Sequence, residues 1–241
     1  EGELLSGWRA GTPLTDRMLW AWPVPDLLGL SLDVRERATV SLVAPDSEAD
    51  QRLFKVSWDG SEVEVMTLPR VHNDLVELPD GTLAALQWVT QEFEELGDTR
   101  KMLASQIIEI DPDTLESDVI WSLFDDVQPD LSEEYEAFRE GEDTENWAHV
   151  NSLFYSEELD AYLVTTMFLG TVYAVDRATG ALLWQLGGER SDFDLGDASL
   201  YAPHHTQLFG DQLVLFDNGD VEVDACSQAA AFTLDMDAMT A

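Results

Sequence analysis

With 241 residues, 45% of them hydrophobic, and eight Trp, ten Phe and five Tyr, the chain has the composition of a packed protein with a substantial core, arranged in one or two domains. Its 49 acidic residues against 12 basic ones give a formal charge of -37, which disfavours nucleic acid and anionic membrane as partners and suits a salty, marine or halophilic setting that screens self-repulsion. The single Cys226 excludes an internal disulfide framework and a multi-cysteine metal site, and no apolar run approaches the roughly 18 residues of a membrane span.

The chain opens on Glu1 and closes at Ala241 just after a strand-like phrase, as an excised or incomplete piece would. Residues 1 to 50 form an N-terminal part that is hard to assign, with strand candidates at 19–22, 28–32 and 39–43, the first two separated by Pro23 and Pro25. Leu53 to Trp58 and Val63 to Met66 flank Asp59-Gly60, a strong hairpin signal. His72 to Leu78, the turn Pro79-Asp80-Gly81 and Thr82 to Leu86 predict a second hairpin. Ile107 to Ile110 and Val119 to Trp121 flank an Asp-Pro-Asp-Thr turn. Residues 126–146 break the β pattern, and 130–140 predict a short helix capped at Asp130 or Ser132, either a covering connection or a lid.

Strands are predicted again from His149 to Tyr155 and from Ala161 to Thr166, followed by Thr171 to Asp176 and Leu182 to Trp184 around Asp-Arg-Ala-Thr-Gly. Asp192 to Asp197 is rich in carboxylates but lacks the spacing of a calcium loop, so it reads as a solvated loop. His205 to Phe209 and Gln212 to Phe216 form the next hairpin, and Phe216-Asp217-Asn218-Gly219-Asp220 reads as a turn.

Two phrases recur. Ile107 to Asp111 and Thr171 to Asp176 each lead through a turn to a strand ending in tryptophan, and a third copy begins at Ala231 to Asp235. The aspartates Asp111, Asp176 and Asp235 stand 65 and 59 residues apart, above the roughly 40 to 50 of a common propeller repeat, an excess that long connections absorb. Between the copies, a histidine opens a strand three times, at His72, His149 and His205. The expected fold is all-β, a single β-propeller domain or a fragment of one over 1–241, with roughly four blades represented. Radial packing would bring His72, His149 and His205 to one axial site beside the hydrogen-bonding Asn151, while alternation sends His204 to the opposite face. A structural role and three-histidine zinc binding stand as alternatives.

The chain resembles the arylsulfotransferase family of secreted bacterial and archaeal β-propellers. The likeness rests on the hairpin His72 to Gly81, residues 107–121, Asn146-Trp147-Ala148-His149-Val150-Asn151-Ser152, residues 172–180, Leu183 to Gly188, Ser191 to Phe193, His205 and Leu215 to Gly219. It implies sulfuryl transfer from a phenolic sulfate ester to a phenol through a histidine-bound intermediate, with no cofactor and an extracytoplasmic location. By the same resemblance His205 is the nucleophile, His149 and Asn151 hold sulfuryl oxygens or assist proton transfer, and His72 matches an earlier blade histidine. This chain reads His-Asn-Asp there, where the family often reads His-His-Asp, and Met167 stands where the family has an arginine. A thioether cannot neutralise a sulfuryl oxygen as a guanidinium can. A noncatalytic extracytoplasmic propeller that binds a ligand or protein, and a quinone-dependent dehydrogenase-like propeller, are the rival readings.

Overall fold

The structure, a computed structural model, describes residues 37–41, 50–57, 63–95, 98–131, 144–219 and 226–241. The strand candidates at 19–22 and 28–32, and most of the helix expected at 130–140, lie outside the described residues. What is described is all-β apart from a single four-residue helical turn, α1 (Leu123–Asp126).

The strands form four antiparallel sheets that follow one another along the chain. The first is β1 (Arg37–Ser41), β2 (Asp50–Ser57) and β3 (Val63–Pro69), with Val56 opposite Val63 across the Asp59-Gly60 hairpin. The second is β4 (Val71–Glu77), β5 (Leu83–Glu95), β6 (Asp98–Ile110) and β7 (Ser117–Ser122), with the two-residue β8 (Glu145–Asn146) parallel to β6. The third runs β9 (Val150–Ser156), β10 (Ala161–Thr166), β11 (Thr171–Asp176) and β12 (Leu182–Gly187). The fourth is β13 (Pro203–Phe209), β14 (Gln212–Asp217) and β15 (Gln228–Thr233).

Each predicted hairpin from β2 onward forms, because turn chemistry and period-two alternation act locally. The repeated aspartates earn their place as turn-formers. Asp111 Oδ1 accepts the N–H groups of Asp113 and Thr114, Asp176 Oδ1 that of Thr179, and Asp235 Oδ1 those of Asp237 and Ala238. Asp111 and Asp235 follow the third strand of their meander and Asp176 ends it, so β6, β11 and β15 occupy one structural position. One feature outruns the sequence reading. β5 and β6 pair from Leu83↔Ile110 as far as Glu95↔Asp98, a hairpin of 13-residue strands that carries Phe93 over to Phe124.

The sheets pack face to face. One core between the second and third gathers Leu86, Ile107, Trp121, Trp147, Tyr162 and Val164, all buried. A second joins the third and fourth through Leu163, Trp184, Leu186, Leu208 and Leu213, and a third lies on the opposite face of the second sheet around Leu68, Leu75 and Ile108. Removing this apolar surface from water, at about 25 cal/mol per Å², holds together strands that hydrogen bonding alone would leave as separate sheets.

Candidate functional site

The first strands of the last three sheets, β4, β9 and β13, lie side by side and begin at the same end of the stack. Side chains tie their openings together. Asp74 Oδ2 accepts the Leu153 N–H at 3.0 Å, linking β4 to β9. Asn151 Nδ2 donates to Pro203 O at 2.9 Å, and Thr165 Oγ1 to Thr206 Oγ1 at 2.8 Å, linking the third sheet to β13.

Each of these strands opens on the same backbone irregularity. Asn73, His149 and His205 have φ of 51°, 48° and 49°, the left-handed region that non-glycine residues rarely enter. Strand register shifts at or near each one: across Asn73 between His72 and Leu75, across His205 between His204 and Gln207, and in β9 at Asn151, two residues past His149. A bulge of this kind re-aims the side chain at its corner and recurs beside functional sites. It also breaks the alternation on which the sequence argument relied. The corner sets Asn73, rather than His72, level with His149 and His205, and His72 falls level with His204.

The four histidines therefore have different surroundings. His72 is 1% exposed, its ring stacked on Trp88 with centroids 3.5 Å apart and planes 8° apart. Its Nδ1 lies 3.0 Å from Asn73 Oδ1 and its Nε2 2.9 Å from Ser105 Oγ. Burial pushes its pKa down to about 3, helped by His149 and Arg70 nearby, so the ring is neutral. His149 is half-buried. Asn146 grips it twice, with Oδ1 accepting the His149 backbone N–H at 3.0 Å and Nδ2 donating to the ring Nδ1 at 2.8 Å. The second bond makes Nδ1 an acceptor, so a neutral His149 carries its proton on Nε2. His204, held down in pKa chiefly by burial, has Nδ1 within reach of Ala202 O and the Asn218 amide. His205 is exposed, and no described residue hydrogen-bonds either of its ring nitrogens.

Met167 neighbours His149 directly. Its N–H donates to His149 O at 3.0 Å, and the ring of Phe168 leans on that of His149 with centroids 5.3 Å apart. Arg177 is engaged at the opposite end of the sheets, with Glu109 and Asp80. Arg70, by contrast, sits two residues before His72 and donates to Thr90 Oγ1 at 3.1 Å.

Asn151 is 3% exposed, and among the described residues its Oδ1 has no hydrogen-bond partner, nor has the buried hydroxyl of Ser152 beside it. Unpaired buried oxygens are costly and concentrate at sites that await another group. Sequence reasoning missed several supporting residues: Ser105, Asn146 and above all Asp217. Asp217 is wholly buried; its Oδ1 accepts the N–H groups of Ala202 and Gly219, and its Oδ2 that of Tyr201, so it shapes the segment leading into His204 and His205. In the sequence it looked like one residue of a turn. Among the described residues no cluster of three or more His, Cys, Asp or Glu is placed to hold a metal, and no helix is long and apolar enough to cross a membrane.

Successive antiparallel meanders with matching bulged corners at one end define an all-β repeat protein. The family model for arylsulfotransferase (ASST) matches residues 29–241, and the chain belongs to that family. No curated protein matches it. Among solved structures it is similar to a chain of a nidogen/laminin complex, at 13% identity and a TM-score of 0.44, covering 80% of this chain and 59% of that one. It is also similar to a protein of unknown function from Bacteroides caccae, at 13% identity and a TM-score of 0.47, covering 92% of this chain and 62% of that one. The chain thus spans about three fifths of the length of either.

Proposed function

We propose that the four sheets are blades of a β-propeller within a single domain, and that the corner-bearing end is the site of sulfuryl transfer from a phenolic sulfate ester to a phenol. The observation that carries this reading is the shared left-handed corner of β4, β9 and β13, which singles out His149 and His205 in a chain of the arylsulfotransferase family. His205 suits the nucleophile, since its ring nitrogens are uncommitted. A ring nitrogen attacks sulfur, the N–S bond forms as the sulfur–ester oxygen bond breaks, and the phenolate leaves with the bonding pair and takes up a proton. An acceptor phenol oxygen then attacks sulfur, the N–S bond breaks, and the phenol proton passes to a base or to solvent.

His149, whose neutral ring carries its proton on Nε2, suits a group that holds a sulfuryl oxygen or protonates the departing phenolate. Asn151 would support that strand and offer its uncommitted Oδ1, while His72, stacked and neutral, would serve beneath the site. The family and the acidic surface fit an extracytoplasmic, marine or halophilic setting. Met167 favours a second reading, a propeller that binds a ligand or protein without turnover, because the residue whose backbone bonds that of His149 carries a thioether rather than a guanidinium.

Mass spectrometry after brief exposure to an aryl sulfate separates the two. Transfer predicts one sulfuryl group on His205, with phenol release, and neither in His205→Ala. Folded wild-type protein that gains no adduct and releases no phenol across several donors supports the binding reading.

A further inference from the structure

The third corner carries an amide where the other two carry imidazoles, and the oxygen of that amide lies against the neighbouring ring of His72. His72 Nδ1 approaches Asn73 Oδ1, a carbonyl oxygen that can only accept, so the ring proton sits on Nδ1. Nε2 is then a lone pair, which the Ser105 hydroxyl meets as donor at 2.9 Å. The ring cannot swivel away from either partner, because it is flat against Trp88 and buried. A directed chain therefore runs from Ser105 through His72 to Asn73. It occupies the amide oxygen and leaves the two N–H groups of Asn73 Nδ2 with no acceptor among the described residues.

We infer that Asn73 presents its side-chain N–H to a sulfuryl oxygen of the bound ester, with His72 and Ser105 as positioning residues. This rests on the sulfuryl-transfer reading and adds to it a neutral donor from β4. A preorganised N–H aimed at an oxygen that gains charge in the transition state stabilises that state without needing a cation. Here the donor arrives already oriented. In a protein of charge -37 it also brings no new carboxylate towards an anionic ester.

A purely structural role is the competing account, since asparagine enters the left-handed region more readily than most residues. Asn73→Gly separates the two, because glycine accepts φ of 51° without strain and removes only the amide. The kinetics of aryl sulfate turnover in Asn73→Gly should show kcat lower by about 100-fold, with KM little changed, as for an interaction made in the transition state. Asn73→His, which restores a ring N–H donor, should recover much of that loss. Ser105→Ala, which frees His72, should lower kcat by about 10-fold. Asn73→Asp tolerates the same backbone and places a carboxylate against the ester, so it should lose activity and raise KM, and it decides the matter if the glycine variant folds poorly. Wild-type rates in Asn73→Gly or Asn73→Asp, with wild-type turnover intact, overturn the role of Asn73 alone. Wild-type protein that releases no phenol overturns the sulfuryl-transfer reading, and the role of Asn73 with it.

Discussion

The two ends of the sheet stack are built on opposite plans. At the end where the hairpins of β4–β5 and β9–β10 turn, charges are closed off against one another. Arg177 reaches Glu109 at 2.7 Å and Asp80 at 2.9 Å, Tyr162 donates to the same Glu109, Tyr155 donates to Asp160, and the Arg177 guanidinium lies 5.7 Å from the Tyr155 ring centroid. Glu109 and Asp80 hold the guanidinium firmly protonated, and Arg177 in turn lowers the pKa of Asp80. At the other end, where β4, β9 and β13 begin, the backbone is bent into left-handed corners, and Asn151 Oδ1, Asn73 Nδ2 and the His205 ring keep bonding capacity in hand. One end closes its charges against one another, and the other keeps polar groups uncommitted. A fold whose cores already supply cohesion can leave polar groups unsatisfied at one rim, where function draws on them.

That contrast is open to test, beginning with the largest effect. Asp217→Ala would take the acceptor from three backbone N–H groups, that of Ala202 buried and those of Tyr201 and Gly219 partly so, and should cost about 2 to 3 kcal/mol in chemical denaturation. The sulfuryl transfer proposed for this end should fall with the loss of the corner. The next effect is a pH dependence. His72 titrates near 6.5 when unfolded and at about 3 when folded, so between those values the unfolded chain binds the extra proton and stability falls as pH falls. This contribution is intact above pH 6.5 and is lost at up to about 1.4 kcal/mol per pH unit below it. Denaturation curves between pH 7 and 4 should be steeper in pH for wild type than for His72→Gln, and parallel curves would show that folding does not lower the His72 pKa. The smallest belongs to the clamp. Glu109→Gln weakens a partly exposed pair and should cost about 1 to 2 kcal/mol while leaving transfer kinetics unchanged. A Glu109→Gln variant that loses turnover as Asp217→Ala does would dissolve the distinction between the two ends.

The candidate site was legible in part. His149, Asn151 and His205 stand in phrases whose strand character is local, and the structure carries them to one end of adjacent strands. His72 stands there too, although one residue out of step with the others. The sequence shows a histidine opening a strand in each phrase, but a bulge adds a residue to the corner without leaving a mark in composition, and so Asn73 read as a departure from the family's His-His-Asp rather than as the corner residue. Asp217 was hidden for a related reason: an aspartate before Asn-Gly looks like any turn residue until its carboxylate is found facing inward.

What the sequence by itself determined is the part of the protein that short-range forces decide. Alternating apolar residues and Asp-Gly or Pro-Asp-Gly turns specify the hairpins, the recurring aspartates specify the turns after β6, β11 and β15, and ordered phrases over most of the chain specify the family. Tertiary structure alone decided which residue of each corner is re-aimed and how His72, Trp88 and Ser105 stack and bond. It also decided that Arg177 would be spent on Glu109, 68 residues away. Those outcomes depend on packing between sheets, where one added residue shifts a strand's register and turns its side chains over. A periodicity of two cannot reveal such a step, because the pattern reads the same on either side of it.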